Sequence, residues 1–367
     1  MVSGLMPRYR SFRDIDWSLL VITLMICAVG VMQIYSATYG TQFTGMWWRQ
    51  IIYLSLGLAT MWVVASIDYH TLLGQTPLFY AVSVVALLAT AIIGNLLEGA
   101  RRWMSIGGVS LQVSEFVKLV IILIVARYLS DLRKDEVGMR DLFKLGVFVG
   151  IPATLVFLQP DLGTALTYVA VAGGGVLIAG LRWRDLAALV LLCGLAVPAV
   201  WPFMSPYQKD RVATFIDPNQ DPLGTGYQVI QSRIAIGNGG LWGMGVTNGT
   251  QTQLRFLPVP ESDFVISAFA EEHGFVGVAV VLGLYFLLIM QIVQNAQTAP
   301  DRAGLYICMG VAILLLFHIL VNVGMSMGSM IVTGVPLPFM SSGGSHVLPE
   351  FMMLGLVNNV RLRRFAS

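Results

Sequence analysis

The sequence predicts an all-α, polytopic integral membrane protein with about ten transmembrane helices. Two observations carry this. Hydrophobic residues make up 56% of the 367 and charged residues only 11%, and long apolar runs recur along the whole chain. Soluble domains carry about 25% charged residues, and less than half of that would hardly cover a soluble surface. Each run is long enough to cross a hydrocarbon core about 30 Å thick. The formal net charge of +2 points to no nucleic-acid partner. The three cysteines, Cys27, Cys193 and Cys308, all lie in apolar runs and read as small buried hydrophobes, not as a disulfide framework or metal site.

The first span, 17–35, follows Arg8, Arg10 and Arg13. A signal peptide competes for that pattern, but the run is long and no small-residue cleavage site is obvious, so the span is retained. Further spans fall at 48–66, 77–94, 111–129, 143–159, 162–180, 186–203, 272–293, 304–325 and 343–360. With the N-terminus inside, the inner loops collect 14 of the 22 basic residues and the outer side 7, while Lys118 falls within a span. By the positive-inside rule both termini are cytoplasmic. The inner loop 67–76 has no Lys or Arg and argues neither way. The chain reads as a single transmembrane domain, 1–367.

Between spans 7 and 8 lies a large extracytoplasmic loop, 204–262, with turn formers at 217–226 (DPNQDPLGTG) and 237–245 (GNGGLWGMG). Loops beyond about 15 residues are uncommon unless functional or disordered. Here Phe203, Tyr207, Phe215, Tyr227, Trp242 and Phe256 supply surface to bury, which favours order. From Asp263 to Val293 the chain runs 31 residues, roughly 46 Å at 1.5 Å per residue, too long for one crossing. Either this helix projects from the membrane, or 263–271 forms a separate element. Asp263 lies near the outer face in both cases.

Several polar residues stand out against this apolar background. Glu115 and Lys118, three apart at the start of the fourth span, share a helix face and can pair inside the bundle. Intramembrane ionisable groups are expensive and by default suggest function; a structural ion pair between helices accounts for them equally well. Asp161 in QPDLG, 159–163, is placed to cap the following helix, which outweighs direct catalysis on the residues alone. His318 and Asn322 share a face of the ninth span and suit interhelical hydrogen bonding better than a metal site. In SSGGS, 341–345, the glycines permit either close approach to a ligand or a plain helix entry. Asp263, near Glu261, Glu271 and Glu272, can hold a divalent cation or act as a general base. As a solvated carboxylate at a helix start it needs neither role.

Taken together, the motifs resemble the SEDS family (shape, elongation, division and sporulation), nearly end to end. The resemblance rests on GARRWMSIGG at 99–108, QVSEFVKL at 112–119, QPDLGTAL at 159–166, the stretch 207–251, LRFLPVPESDFVISAFAEEHGFVG at 254–277 and PLPFMSSGGS at 336–345. FIDPNQDPLGTGYQ with IAIGNGG and GTQ looks like the elongation branch of the family. The resemblance implies a peptidoglycan glycosyltransferase of the bacterial inner membrane. Such enzymes move a growing glycan from its undecaprenyl pyrophosphate onto a sugar hydroxyl of lipid II, in complex with a class B penicillin-binding protein. It also implies that Asp263 is the essential aspartate, Glu115–Lys118 the intramembrane pair and Asp161 the QPDLG aspartate. Arg49, Arg102, Lys118 and Arg211 become candidates for the pyrophosphate, and Asp263 becomes the base or the holder of a divalent cation such as Mg or Mn. The chain departs from the family pattern at Val113, Met244, Glu261, Ser262, Ser342, His346, Pro349 and Glu350. A lipid II flippase and a non-catalytic scaffold for the penicillin-binding protein are the rival expectations.

Overall fold

The protein is described from a computed structural model covering residues 15–97, 100–106, 109–132, 136–218, 221 and 224–364. In chain order the elements are α1 Trp17–Thr38, α2 Met46–Ser66, α3 Tyr69–Gly74, α4 Thr76–Ile93, β1 Asn95–Leu97, β2 Ala100–Ile106 and β3 Val109–Gln112. They continue with α5 Val113–Asp131, α6 Met139–Leu158, α7 Leu162–Ala179, α8 Trp183–Val200, α9 Pro206–Ile216, α10 Thr225–Gly239 and α11 Thr250–Gln253. The last three are α12 Val265–Gln297, α13 Arg302–Ser326 and α14 Gly344–Arg363.

Among the described residues, ten helices have 18 or more residues, and they fall on the ten expected spans. Six of them are long and apolar enough to cross a membrane on composition alone: α1, α4, α6, α7, α12 and α13. The polar content of two others is buried: Glu115 and Lys118 of α5 are 4% and 1% exposed, and Glu350 of α14 is 2% exposed. Helices α5, α13 and α14 form the centre of the bundle, while α1, α4, α6 and α12 turn large apolar side chains outward. An outward apolar face is what contact with lipid requires. Cys27 and Cys308 are buried free thiols, as expected; the side chain of Cys193 lies outside the described residues.

Arg8, Arg10, Arg13, Arg133 and Lys134 of the basic tally also lie outside the described residues. At the end opposite the 204–262 region, Asp16 caps α1 through the Leu19 N–H and accepts from Gln291 and Asn295. Arg361 adds an ion pair to it at 2.7 Å, so α1, α12 and α14 meet on one fully buried carboxylate.

Two features add to the sequence expectation, and a third decides between alternatives it left open. Residues 95–112 form a three-stranded antiparallel sheet in the order β1-β2-β3, and α5 starts at Val113, two residues later than the expected span. β2 and β3 pair from Trp103 opposite Gln112 to Ile106 opposite Val109. The 204–262 region contains helices of its own. Ser205 and Gln208 close a capping box at the start of α9, and α10 buries Val229 and Ala235 against Phe264 and Ala268. Finally, α12 is two helices in one. At Gly274 the backbone leaves the helical region (φ 66, ψ −169), so of the two alternatives left open by the length, the separate element before the break is the one present.

Gly274 is required there. A Cβ would lie 2.4 Å from the Gly243 nitrogen and 2.5 Å from the Leu241 oxygen, because the loop after α10 crosses the break at backbone contact. Phe275 and Val276 donate to the Gly240 and Leu241 carbonyls, and Met244 and Gly245 donate to those of Glu271 and Glu272. The loop after α10 thereby bonds to both sides of the break, to the carbonyls that end the first half of α12 and to the N–H groups that begin the second.

Candidate functional site

A cavity of about 370 Å³ opens where β2, α9 and the starts of α2, α5, α7 and α14 meet. Each element delivers a polar group for a local reason. Asp161, the N-cap of α7, accepts from the Thr164 N–H at 3.1 Å and from Gln112 Nε2 at 2.9 Å. Capping is therefore confirmed, and the same carboxylate also lines the cavity. Arg49 comes from the first turn of α2, Arg102 from β2 and Arg211 from α9. Asp263 stands just before α12, with Ser262 donating to its Oδ1 at 3.1 Å.

Gly334, at φ +69, faces Asp263 so closely that a Cβ would sit 3.4 Å from Oδ2. Asn322 donates to the Asp263 carbonyl at 3.0 Å and to the Val335 carbonyl at 2.8 Å, so in place of the interhelical hydrogen bond expected of it, it ties α13 to two loop segments. The glycines of SSGGS form the helix entry, Gly343 as the N-cap of α14 and Gly344 as its first residue, and both line the cavity.

Of the seven residues singled out in sequence, six line this cavity: Asp263, Glu115, Asp161, Arg49, Arg102 and Arg211. Lys118 does not. It lies behind Glu115, with Nζ 2.7 and 2.8 Å from the two Glu115 oxygens and 3.2 Å from His318 Nε2. An ammonium has three donors, and three acceptors already surround this one, so Lys118 is removed from the cationic wall facing the cavity. Glu271 and Glu272 likewise belong elsewhere. Glu271 accepts from the backbone of Gln251 and Thr252 and so holds α11, while Glu272 accepts from Ser36 at 2.5 Å.

Three guanidinium groups and three carboxylates thus share one wall system, and the carboxylates differ in their engagements. Glu115 is neutralised by Lys118, and Asp161 is held by a cap and an amide. Around Arg211, burial lowers the guanidinium pKa from its usual value; the charges of Tyr207 and Asp263 oppose this, and the neighbouring Arg102 adds to it. An arginine stays charged through such a shift. Arg211 also donates to the Val332 carbonyl at 2.7 Å and lies over the Tyr207 ring, 4.3 Å from its centroid. Arg102 Nε is buried and finds no hydrogen-bond partner among the described residues.

Among the described residues no group of three His, Cys, Asp or Glu side chains converges to hold a metal ion. A dedicated protein cage is therefore not what a cation would find here. One carboxylate beside a cationic pocket fits the other arrangement, in which Mg²⁺ takes one or two carboxylates plus substrate phosphates.

Sequence reasoning missed Gln50, Gln112, Tyr53 and His346 as cavity residues. None carries a charge anomalous for its span, so only the packing of α2 on α14 and of the sheet on the bundle could reveal them.

The chain matches the cell cycle protein family of FtsW, RodA and SpoVE over residues 16–365. It is 38% identical to the peptidoglycan glycosyltransferase MrdB of Escherichia coli K12, over 98% of this chain and 97% of that one. Among solved structures it is similar to a chain of a peptidoglycan synthase complex that coordinates polymerization and crosslinking. That match has a TM-score of 0.82 and 34% identity, covering 96% of this chain and 99% of that one. The rod shape determining protein RodA of Thermus thermophilus is also similar, at a TM-score of 0.72 and 29% identity, over 96% of this chain and 98% of that one. With the family's match running from residue 16 to residue 365 and a relative 38% identical over nearly its whole length, the chain belongs to the FtsW, RodA and SpoVE family of cell cycle proteins.

Proposed function

We propose that this protein is a peptidoglycan glycosyltransferase of cell elongation, and that the cavity bordered by Asp263 is where it polymerises lipid II. The observation that carries the assignment is the pairing of Asp263 with Arg49, Arg102 and Arg211 around one cavity. The reaction needs both halves. A sugar hydroxyl of the incoming lipid II attacks the anomeric carbon of the growing glycan, and the bond to undecaprenyl pyrophosphate breaks. Asp263 takes the hydroxyl proton as general base. The arginines receive the charge that develops on the departing diphosphate, in a site where fixed cations act most strongly. Asp263 is the residue that would hold a divalent cation, which would supply further charge neutralisation for the diphosphate.

Support for polymerisation over flipping comes from the far side of Glu115. Lys118 and His318 are 1% and 0% exposed, so the region behind Glu115 is packed and the cavity does not extend into it. A flippase needs a path onward through that region. The proposal extends to topology and assembly: both termini cytoplasmic, 204–262 outside, and a class B penicillin-binding protein as partner to cross-link the product.

The test is polymerisation of fluorescent lipid II by the purified full-length chain with its penicillin-binding partner, transpeptidation blocked by a β-lactam. A ladder of glycan strands is expected. Absence of any ladder, with lipid II translocated across proteoliposomes instead, would establish the flippase.

A further inference from the structure

The segment that ends in Asp263 rests on a buried loop, residues 332–343. Five side chains from four helices hold that loop. Gln50 of α2 donates to the Ser341 carbonyl at 3.1 Å, and Tyr285 of α12 donates to the Pro338 carbonyl at 2.5 Å. Asn322 of α13 donates to the Val335 carbonyl, and Glu350 of α14 accepts from the Phe339 N–H at 2.9 Å. His346 Nε2 lies 3.2 Å from the Ser341 carbonyl, so that nitrogen carries the ring proton. The departures at His346 and Glu350 thus both act on this loop.

Above it, three successive carbonyls each accept one hydrogen bond: Glu261 from the Ser342 N–H at 2.9 Å, Ser262 from the Ser341 hydroxyl at 2.7 Å, and Asp263 from Asn322. The middle bond is the telling one. Ser341 is 0% exposed and does not line the cavity. Its hydroxyl also accepts from the Leu337 N–H at 2.9 Å, so its one proton is committed to Ser262. The Ser262 carbonyl belongs to the peptide plane whose nitrogen is that of Asp263. Holding that plane sets the direction in which the Asp263 side chain leaves the backbone, since peptide planarity leaves only two soft dihedrals per residue.

We propose that Ser341 is a positioning residue for the glycosyl transfer, fixing the Ser262–Asp263 peptide so that the Asp263 carboxylate enters the cavity in one orientation. This rests on Asp263 being the reacting carboxylate. Ser341 touches no substrate; it acts through Asp263 alone. Substrate binding falls to the arginines and the α14 entry, which Ser341 does not contact through its hydroxyl. Its loss therefore lowers turnover and leaves binding in place.

The experiment compares Ser341→Ala, Ser341→Cys, Asp263→Asn and Ser232→Ala in lipid II polymerisation by the full-length chain with its partner. Ser232 is the matched control: it is also 0% exposed, its hydroxyl donates to the Ser326 carbonyl at 2.6 Å, and it lies outside the cavity. In Ser341→Ala, kcat is expected to fall about 10- to 100-fold, the scale of a misplaced catalytic group. KM should stay within about twofold, as for an interaction made only in the transition state. Ser341→Cys, with a weak donor in the same place, is expected between wild type and Ala, and carries the test alone if Ala does not fold. Ser232→Ala should lose comparable thermal stability with kcat unchanged. A kcat loss in the Ser341 variants no greater than in Ser232→Ala, or a rise in KM at constant kcat, overturns the positioning role. Full activity in Asp263→Asn removes the underlying assignment instead, so the two failures are told apart.

Discussion

Lys118 sits with an ammonium at 1% exposure among Glu115, His318 and the apolar face of α13. Taking two charges out of water costs several kcal/mol each, and removing one partner leaves the other uncompensated, at a typical loss of about 3–5 kcal/mol. Lys118→Ala is therefore expected to lower thermal stability in detergent severely. The neutral double variant Glu115→Gln/Lys118→Met should recover most of it, because no buried charge is left unpaired. A charge swap is not expected to rescue the fold, since a carboxylate at 118 would lose the ammonium that His318 now accepts from. Monitoring the unfolding midpoint by size-exclusion fluorescence decides this, and a Lys118→Ala protein as stable as wild type would refute the pairing. At this scale the sequence was informative wherever partners lie close along the chain. Glu115–Lys118 and the Asp161 cap follow from spacings of three residues. The contact of Gln50 with Ser341 spans 291 positions, and nothing local to either residue announces it.

Elements were legible to within a few residues where apolar runs exceed a turn of polar sequence, which covers all ten long helices. The sheet at 95–112 was not, because its strands are three to seven residues long and adjoin a span whose hydropathy dominates any window. Length offered a break in α12 as one of two readings and did not show its cause. That cause is the strand of loop passing beneath Gly274. A non-glycine residue at φ 66 and ψ −169 is strained by roughly 1–3 kcal/mol, before the overlap with Gly243 and Leu241 is counted. Gly274→Ala is expected to release the 240–253 segment from α12 while leaving the ten long helices intact. Limited proteolysis of the purified protein should then cut within 240–253 several times faster than in wild type. Cutting at the wild-type rate would mean that the loop does not depend on the break.

For the whole molecule, the basic-residue asymmetry and the ends of the helices make one statement about orientation. Trp242, beyond α10, is 79% exposed, and Trp183, at the start of α8, is 74% exposed. They lie at opposite ends of the expected topology. On intact cells opened only at the outer membrane, an impermeant maleimide is expected to label Trp242→Cys and to spare Trp183→Cys. The described native thiols, Cys27 and Cys308, are buried and contribute little background. Equal labelling of the two positions would contradict the topology. What composition could not convey was how the cavity is assembled, because its wall draws on six segments between residues 46 and 346 that only the folded bundle brings together.

The central claim is that Asp263 acts chemically in that cavity, and one comparison tests it: lipid II polymerisation by wild type, Asp263→Asn, and Asp263→Asn/Glu261→Gln, each with the partner bound. Glu261 belongs in the series because it is a second carboxylate two residues away, held to Arg255 at 3.5 Å. Asparagine keeps the size of Asp263 and can still accept from Ser262, so the fold and partner binding should survive. The charge and the basicity do not. A positioned general base contributes about 10²–10⁴-fold, so glycan ladders should vanish in both variants at enzyme concentrations where wild type consumes all its substrate. Ladders of normal length and rate from the folded double variant would contradict the account.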